Sequence, residues 1–161
     1  MQIAMSRRTN RLTFLLLTVA LALASCNRKA VYSHYEHTSL DGWDSSDSLT
    51  YDIAPIPTDG YYEESVGLRI GSDYPFMGLT LIIEQHIYPT GIHHIDTLHA
   101  SLIDHDGTIQ GQGISYFQYD FLLRQLRLNA NDSLHLCIHH NMKREMLPGI
   151  SDVGITIRET E

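Results

Sequence analysis

The sequence predicts an all-β chain: a single antiparallel β-sandwich, jelly-roll-like or immunoglobulin-like, with at most one short helix, behind an N-terminal export segment. Three observations carry this reading. Apolar and β-branched residues alternate with polar ones over short segments, the pattern of strands with one face buried. Turn-forming pairs such as Asp41-Gly42, Asp59-Gly60, Asp106-Gly107 and Pro148-Gly149 punctuate those segments. One uninterrupted apolar run stands apart from this alternation, from Leu12 to Ala24. A closed barrel is the alternative to the sandwich.

The first element is the export segment, residues 1–25. Arg7, Arg8 and Arg11 precede a 13-residue apolar core and then Leu23-Ala24-Ser25-Cys26. Cationic flank, short core and small residues make a signal peptide, and a transmembrane helix needs about 20 apolar residues. A cysteine directly after Leu23, Ala24 and Ser25 makes the site a lipobox, with the Cys26 thiol as acceptor of a diacylglyceryl group. Residues 26–30 form the lipidated tether, and residues 31–161 the sandwich domain.

Within the domain, Tyr51 and Ile53 mark one strand, and Val66, Leu68 and Ile70 the next. Leu79, Leu81, Ile83 and Ile87 give a third, and Leu98, Ala100 and Leu102 a fourth. Leu134, Leu136 and Ile138 form another inward row, and Val153, Ile155 and Ile157 the last. From Phe117 to Leu128 the spacing of Phe117, Phe121, Leu122, Leu126 and Leu128 fits a helical face, so a short helix or irregular connection is expected there.

After removal of the signal, eight basic residues face 19 acidic ones, a formal charge of −11. Such a chain repels phosphate backbones, and no basic cluster exceeds the pairs Arg28-Lys29 and Lys143-Arg144, so nucleic acid is excluded as a partner. Lipidation of Cys26 leaves only Cys137, which excludes an intramolecular disulfide; its apolar neighbours suggest a small buried hydrophobe.

Ten histidines raise metal ligation, with His93-His94, His99, His135 and His139-His140 as candidates. Strand geometry opposes it. Adjacent residues point to opposite faces, and residues four apart lie about 13 Å apart, whereas zinc holds imidazole nitrogens at about 2 Å. No metal site is expected. Asp104-His105-Asp106-Gly107 opens like a calcium loop but lacks the later ligands, and reads as a tight turn. Asp41, Asp44 and Asp47 around Trp43 read as an acidic loop. Glu63-Glu64, Glu84 and Asp96 supply carboxylates, but a hydrolytic pair is defined by spacing in space, and no nucleophile elbow is present. Trp43 with the nine tyrosines offers the aromatic faces of a carbohydrate platform.

A set of short motifs in fixed order resembles the gliding-motility lipoprotein family GldH of Bacteroidetes. They run from Cys26 and Val31-Tyr32 through Gly42-Trp43, Leu68-Arg69-Ile70, Asp73-Tyr74-Pro75-Phe76 and Asp96-Thr97-Leu98. Leu102-Ile103-Asp104 with Gly107, Gly111 and Gly113 follows, then His140-Asn141-Met142-Lys143-Arg144 and Leu147 to Ile155. Thr108-Ile109-Gln110 departs from the pattern, which carries a tryptophan there. The resemblance implies a lipid-anchored outer-membrane protein of the cell envelope. It implies no enzymatic activity and no cofactor beyond the lipid, palmitate included, on Cys26. The partners it implies are other envelope lipoproteins or outer-membrane proteins of gliding or associated secretion machinery. Tyr74, Pro75 and Phe76, an aromatic turn, and Met142, Lys143 and Arg144, a basic pair in an acidic domain, are the candidate partner surface. A carbohydrate-binding lipoprotein of a surface nutrient system is the alternative reading, and a histidine-based metal hydrolase a third.

Overall fold

The computed structural model describes residues 30–160, and all of its regular elements are strands. Leu23, Ala24, Ser25 and Cys26 lie outside the described residues. In chain order the strands are β1 (Ala30–His37), β2 (Trp43–Asp44), β3 (Leu49–Ile53), β4 (Gly60–Gly71), β5 (Gly78–Tyr88) and β6 (Ile92–Ser101). They continue with β7 (Gln112–Gly113), β8 (Tyr116–Leu128), β9 (Ser133–His140), β10 (Met146–Leu147) and β11 (Ile150–Thr160). Two antiparallel sheets, β1-β11-β4-β8-β7 and β3-β9-β5-β6, face each other, with the ribbon β10-β2 at one end. This is a sandwich rather than a closed barrel.

Period-two alternation does the sorting. Val66, Leu68 and Ile70 of β4 and Val153, Ile155 and Ile157 of β11 line one inner face; Leu79, Leu81, Ile83, Leu134, Leu136 and Ile138 of β5 and β9 line the other. Each buried side chain of this size contributes about 1.5–3 kcal/mol. Tyr51 crosses the core and donates its hydroxyl to the Val153 carbonyl at 2.8 Å, so its polar end is satisfied.

The expected helix at Phe117 to Leu128 is a strand, β8. Its ladder with β4 shifts register between Glu64 and Ser65, where Arg124 and Leu122 are the successive partners and Leu123 is the extra residue. Before the bulge the odd residues Phe117, Tyr119 and Phe121 pack toward the core; after it the even residues Leu126 and Leu128 do. A single inserted residue changes the phase of a two-residue period, and with the outward-facing Leu122 counted in, the apolar residues on its two sides imitate a helical face.

Cys137 also departs from expectation. Leu134, Leu136 and Ile138 occupy the inner row of β9, so the intervening Cys137 is left on the outer face, partly exposed.

The two ends of the sandwich differ. At the end where β1 begins, the connections are short: Ala54 to Asp59, the Pro89 to Gly91 hairpin, and Asn129 to Asp132. At the other end lie the long connections 38–48, 72–77, 102–115 and 141–149. The 12 residues of β4 separate the ends by about 40 Å.

Candidate functional site

The long-connection end gathers both segments of the candidate partner surface. Tyr74, Pro75 and Phe76 follow β4, and Met142, Lys143 and Arg144 follow β9. They meet through β5, where the Thr80 N–H donates to Met142 Sδ at 3.4 Å and the Thr80 carbonyl accepts from Asn141 N at 2.8 Å. Half of these side chains are internal supports. Tyr74 donates its hydroxyl to the Gly78 carbonyl at 3.0 Å, packs edge-on against Phe76 at 5.5 Å, and burial pushes its phenol pKa up. Tyr74, Phe76 and Met142 pack on the core, whereas Pro75, Lys143 and Arg144 are exposed.

The apolar surface of this end comes from residues that sequence reasoning passed over. Leu40, Met77, Ile109, Ile114, Tyr116 and Met146 are exposed, Ile114 by 92% and Tyr116 by 62%. They belong to four different connections or their borders, and each lacks an alternating neighbour to mark it. Beneath them Ile70, Phe76, Leu102, Ile103 and Phe117 line an apolar pocket of ≈ 120 Å³. Gly149, at φ +81°, closes the end: a side chain there would meet the Tyr74 backbone nitrogen at 2.8 Å.

Trp43 is not a platform. It is 1% exposed, donates Nε1–H to the Asp47 carbonyl at 3.0 Å and packs edge-on against His140 at 5.3 Å. Nearby, the Asp44 carboxylate accepts from Ser46 N–H and Oγ at 2.8 Å each, and these bonds hold its pKa below the ordinary value. The aspartates around Trp43 thus build a loop. Asp104 to Gly107 likewise forms a turn, with Gly107 N donating to the Asp104 carbonyl at 2.9 Å and Gly107 at φ +88°.

The candidate ligand histidines His93, His94, His99, His135, His139 and His140 lie on β6 and β9, on both faces of the β3-β9-β5-β6 sheet. His140 is buried; its Nε2–H donates to the Trp43 carbonyl at 3.2 Å and its Nδ1 accepts from Met142 N at 3.4 Å, which together fix the orientation of the ring. His135 pairs with Asp52 at 2.7 Å on the outer face, and His86 stacks on His93 with centroids 4.1 Å apart. Register places Asp52, His135, His86 and His93 in one cross-strand row, which no sequence spacing reveals. Among the described residues no group of three or more His, Cys, Asp or Glu side chains is disposed to hold a metal ion.

Of the candidate carboxylates, Glu64 and Asp96 are bound to polar partners. Glu64 is fully buried and accepts two bonds from Gln85 Nε2 of the opposite sheet, at 3.2 and 3.1 Å. Burial pushes its pKa up to about 7, against the opposing pull of Arg124 and the Gln85 bonds. Arg124 is ion-paired with Asp96, across from β8 to β6. Next to Asp96's strand row, His94 is held below its ordinary pKa by burial, then by Arg124 and His93. This network ties β6, the edge of one sheet, to the part of β8 that the two-residue β7 leaves without an outer neighbour, and inward-facing charge also protects such an edge from pairing with other chains.

A sequence model described as GldH lipoprotein matches residues 30–157. Gliding motility lipoprotein GldH of Flavobacterium johnsoniae is 28% identical over 154 residues, covering 91% of this chain and 96% of that protein. A GldH homolog of Christiangramia forsetii is 24% identical over 157 residues, covering 92% and 95% respectively. Among solved structures, a family 6 carbohydrate-binding module from a Cellvibrio mixtus lichenase aligns with a TM-score of 0.38 at 17% identity, over 83% of this chain and 91% of that one.

Proposed function

The chain belongs to the GldH lipoprotein family, and on that premise we propose that it is a lipid-anchored, non-enzymatic interaction component of gliding-motility or associated secretion machinery at the outer membrane. The observation that carries the proposal is that six of the eleven exposed large apolar side chains among the described residues, Leu40, Met77, Ile109, Ile114, Tyr116 and Met146, lie at the long-connection end. Scattered exposed apolar residues are ordinary, but a set gathered on one end and rimmed by polar loops is the composition of a protein-docking surface. Lys143 and Arg144 supply the basic part of that rim.

Polarity along the chain supports the same reading. Residues preceding Ala30 join the domain at its short-turn end, so a lipid on Cys26 holds that end at the bilayer and presents the apolar end about 40 Å away, toward envelope partners. A diacylated cysteine supplies two chains, enough for stable anchoring. The test is cross-linking of the native lipoprotein in its own membrane, wild type against Leu40→Asp/Ile114→Asp. Loss of attached envelope proteins in the variant, at unchanged melting temperature, is expected. An unchanged cross-linking pattern overturns the docking surface.

A further inference from the structure

Beside the apolar end, at the open edge between β6 and β8, lies a second concave feature with different chemistry. It is a groove of ≈ 590 Å³ lined by Ser101, Asp104, Gln110, Gln112, Gln118 and Asp120, with Tyr119 and Phe121 contributing aromatic carbon. That volume is in the range of small-ligand sites. Among the described residues the lining holds no lysine or arginine, so the groove offers no counter-charge there to phosphate, sulfate or carboxylate.

Its walls are held in place by the rest of the domain. The Gln118 amide donates to the Tyr35 hydroxyl at 2.7 Å and its carbonyl oxygen accepts from Arg69 Nε at 3.2 Å, while the Arg69 guanidinium lies over the Tyr35 ring at 4.3 Å. Gly111 seats the Asp104 to Gln112 loop on the Tyr119 ring so closely that a Cβ there would stand 2.6 Å from Tyr119 Cζ. Tyr119 and Phe121 lie parallel, with centroids 6.2 Å apart. Among the described residues, the Gln112 amide and the Asp120 carboxylate make no side-chain hydrogen bond to protein. Fixed walls lower the ordering cost of binding, and unspent polar groups leave capacity for a ligand.

We infer that this groove binds a neutral polyhydroxylated ligand, a chain of uncharged sugar residues. Each sugar hydroxyl both donates and accepts, which suits a lining of carboxylates that accept and amides that do both. An anionic glycan is disfavoured by Asp104 and Asp120. The inference goes beyond docking at the apolar end, because it uses different residues and a different class of ligand.

Calorimetric titration of the full-length lipoprotein, in a detergent without a sugar headgroup, tests it with hexasaccharides of glucose, mannose, xylose and galactose. A polygalacturonate hexamer and a lysine-rich peptide serve as charged comparisons. At least one neutral hexasaccharide should bind with an affinity that salt does not change, and Gln112→Ala/Asp120→Asn should weaken it roughly tenfold or more. The same variant should melt with wild type and keep the membrane cross-links, which separates failure of this inference from failure of the docking surface. Silence across the neutral panel, binding unaffected by the double substitution, or selective binding of the charged probes overturns it.

Discussion

Replacing Glu64 by glutamine should change how stability depends on pH, and the size follows from burial. The carboxyl sits fully enclosed between the sheets, with its pKa pushed from 4.5 to about 7, chiefly by loss of water and against the attraction of Arg124. In the unfolded chain it titrates near the ordinary value. Between pH 4.5 and 7 the folded state therefore holds a proton that the unfolded state has released, so stability falls as pH rises through this window and levels off above it. Integrating the linkage between pH 5 and 8 gives a loss of about 2.5 kcal/mol from this one group. Glutamine keeps the shape and cannot ionise. His94, held below its ordinary value, contributes the opposite slope: its stabilisation is lost as pH falls. The informative quantity is thus the difference between wild type and Glu64→Gln, measured by urea unfolding of the chain from residue 27 onward at pH 5 and pH 8. Trp43, the single tryptophan and 1% exposed, provides the fluorescence signal. Relative to wild type, the variant should gain about 2.5 kcal/mol between the two pH values. Parallel behaviour of the two proteins would refute the buried-carboxyl argument.

Cys26→Ser should leave the chain in the soluble fraction after cell lysis, and its retention in membranes would refute lipid anchoring. Gly154→Ala should cost about 1–3 kcal/mol in urea unfolding, because the new methyl would stand 2.6 Å from Tyr35 Cδ1 where that ring crosses β11. Combining it with Tyr35→Ala should recover part of that loss, since the two changes share one contact; strict additivity would show the ring is not the obstacle. Arg124→Met should destabilise the domain by more at pH 8 than at pH 5, because it removes the partner of Asp96 and leaves ionised Glu64 without its nearby cation.

Strand rows were legible wherever alternation stayed in phase and one face was apolar. Tyr51 with Ile53, Val66 to Ile70, Leu134 to Ile138 and Val153 to Ile157 all point inward as their spacing indicates. The bulge at Leu123 hid β8, since a phase change leaves no mark in composition. Gln85 and Glu64 hid for a related reason: each is a polar residue at a position whose parity says core, and only the facing sheet shows that the Gln85 amide N–H donates to the Glu64 carboxylate. For the site, the motif-rich segments at Tyr74 and Met142 lie at the same end as the exposed apolar residues, but their aromatic and thioether groups serve packing. Exposure of Leu40, Ile114 and Tyr116 depends on what fails to cover them, a property of the fold alone.

The asymmetry of the two ends makes a mechanical argument about why the apolar surface is tolerated. On a freely diffusing protein, six exposed apolar side chains on one end favour self-association. The proposed lipid anchor at the opposite end would remove most relative orientations in which two copies meet end to end, because both would point away from the same surface. It also raises the local concentration of any partner in that membrane, which lets a modest apolar patch suffice where a soluble complex needs a larger one. The edges tell the same way: β6 and the stretch of β8 beyond the short β7 carry Asp96 and Arg124 on their inner rows, and the bulge at Leu123 twists β8 away from regular pairing. Association through strand edges is thus discouraged while the end surface stays open. Detaching the domain from its anchor should therefore produce concentration-dependent self-association at neutral pH, visible by sedimentation velocity, and Leu40→Asp/Ile114→Asp should abolish it. A detached wild-type domain that stays monomeric at high concentration would show that the end surface is too polar to serve as the docking site.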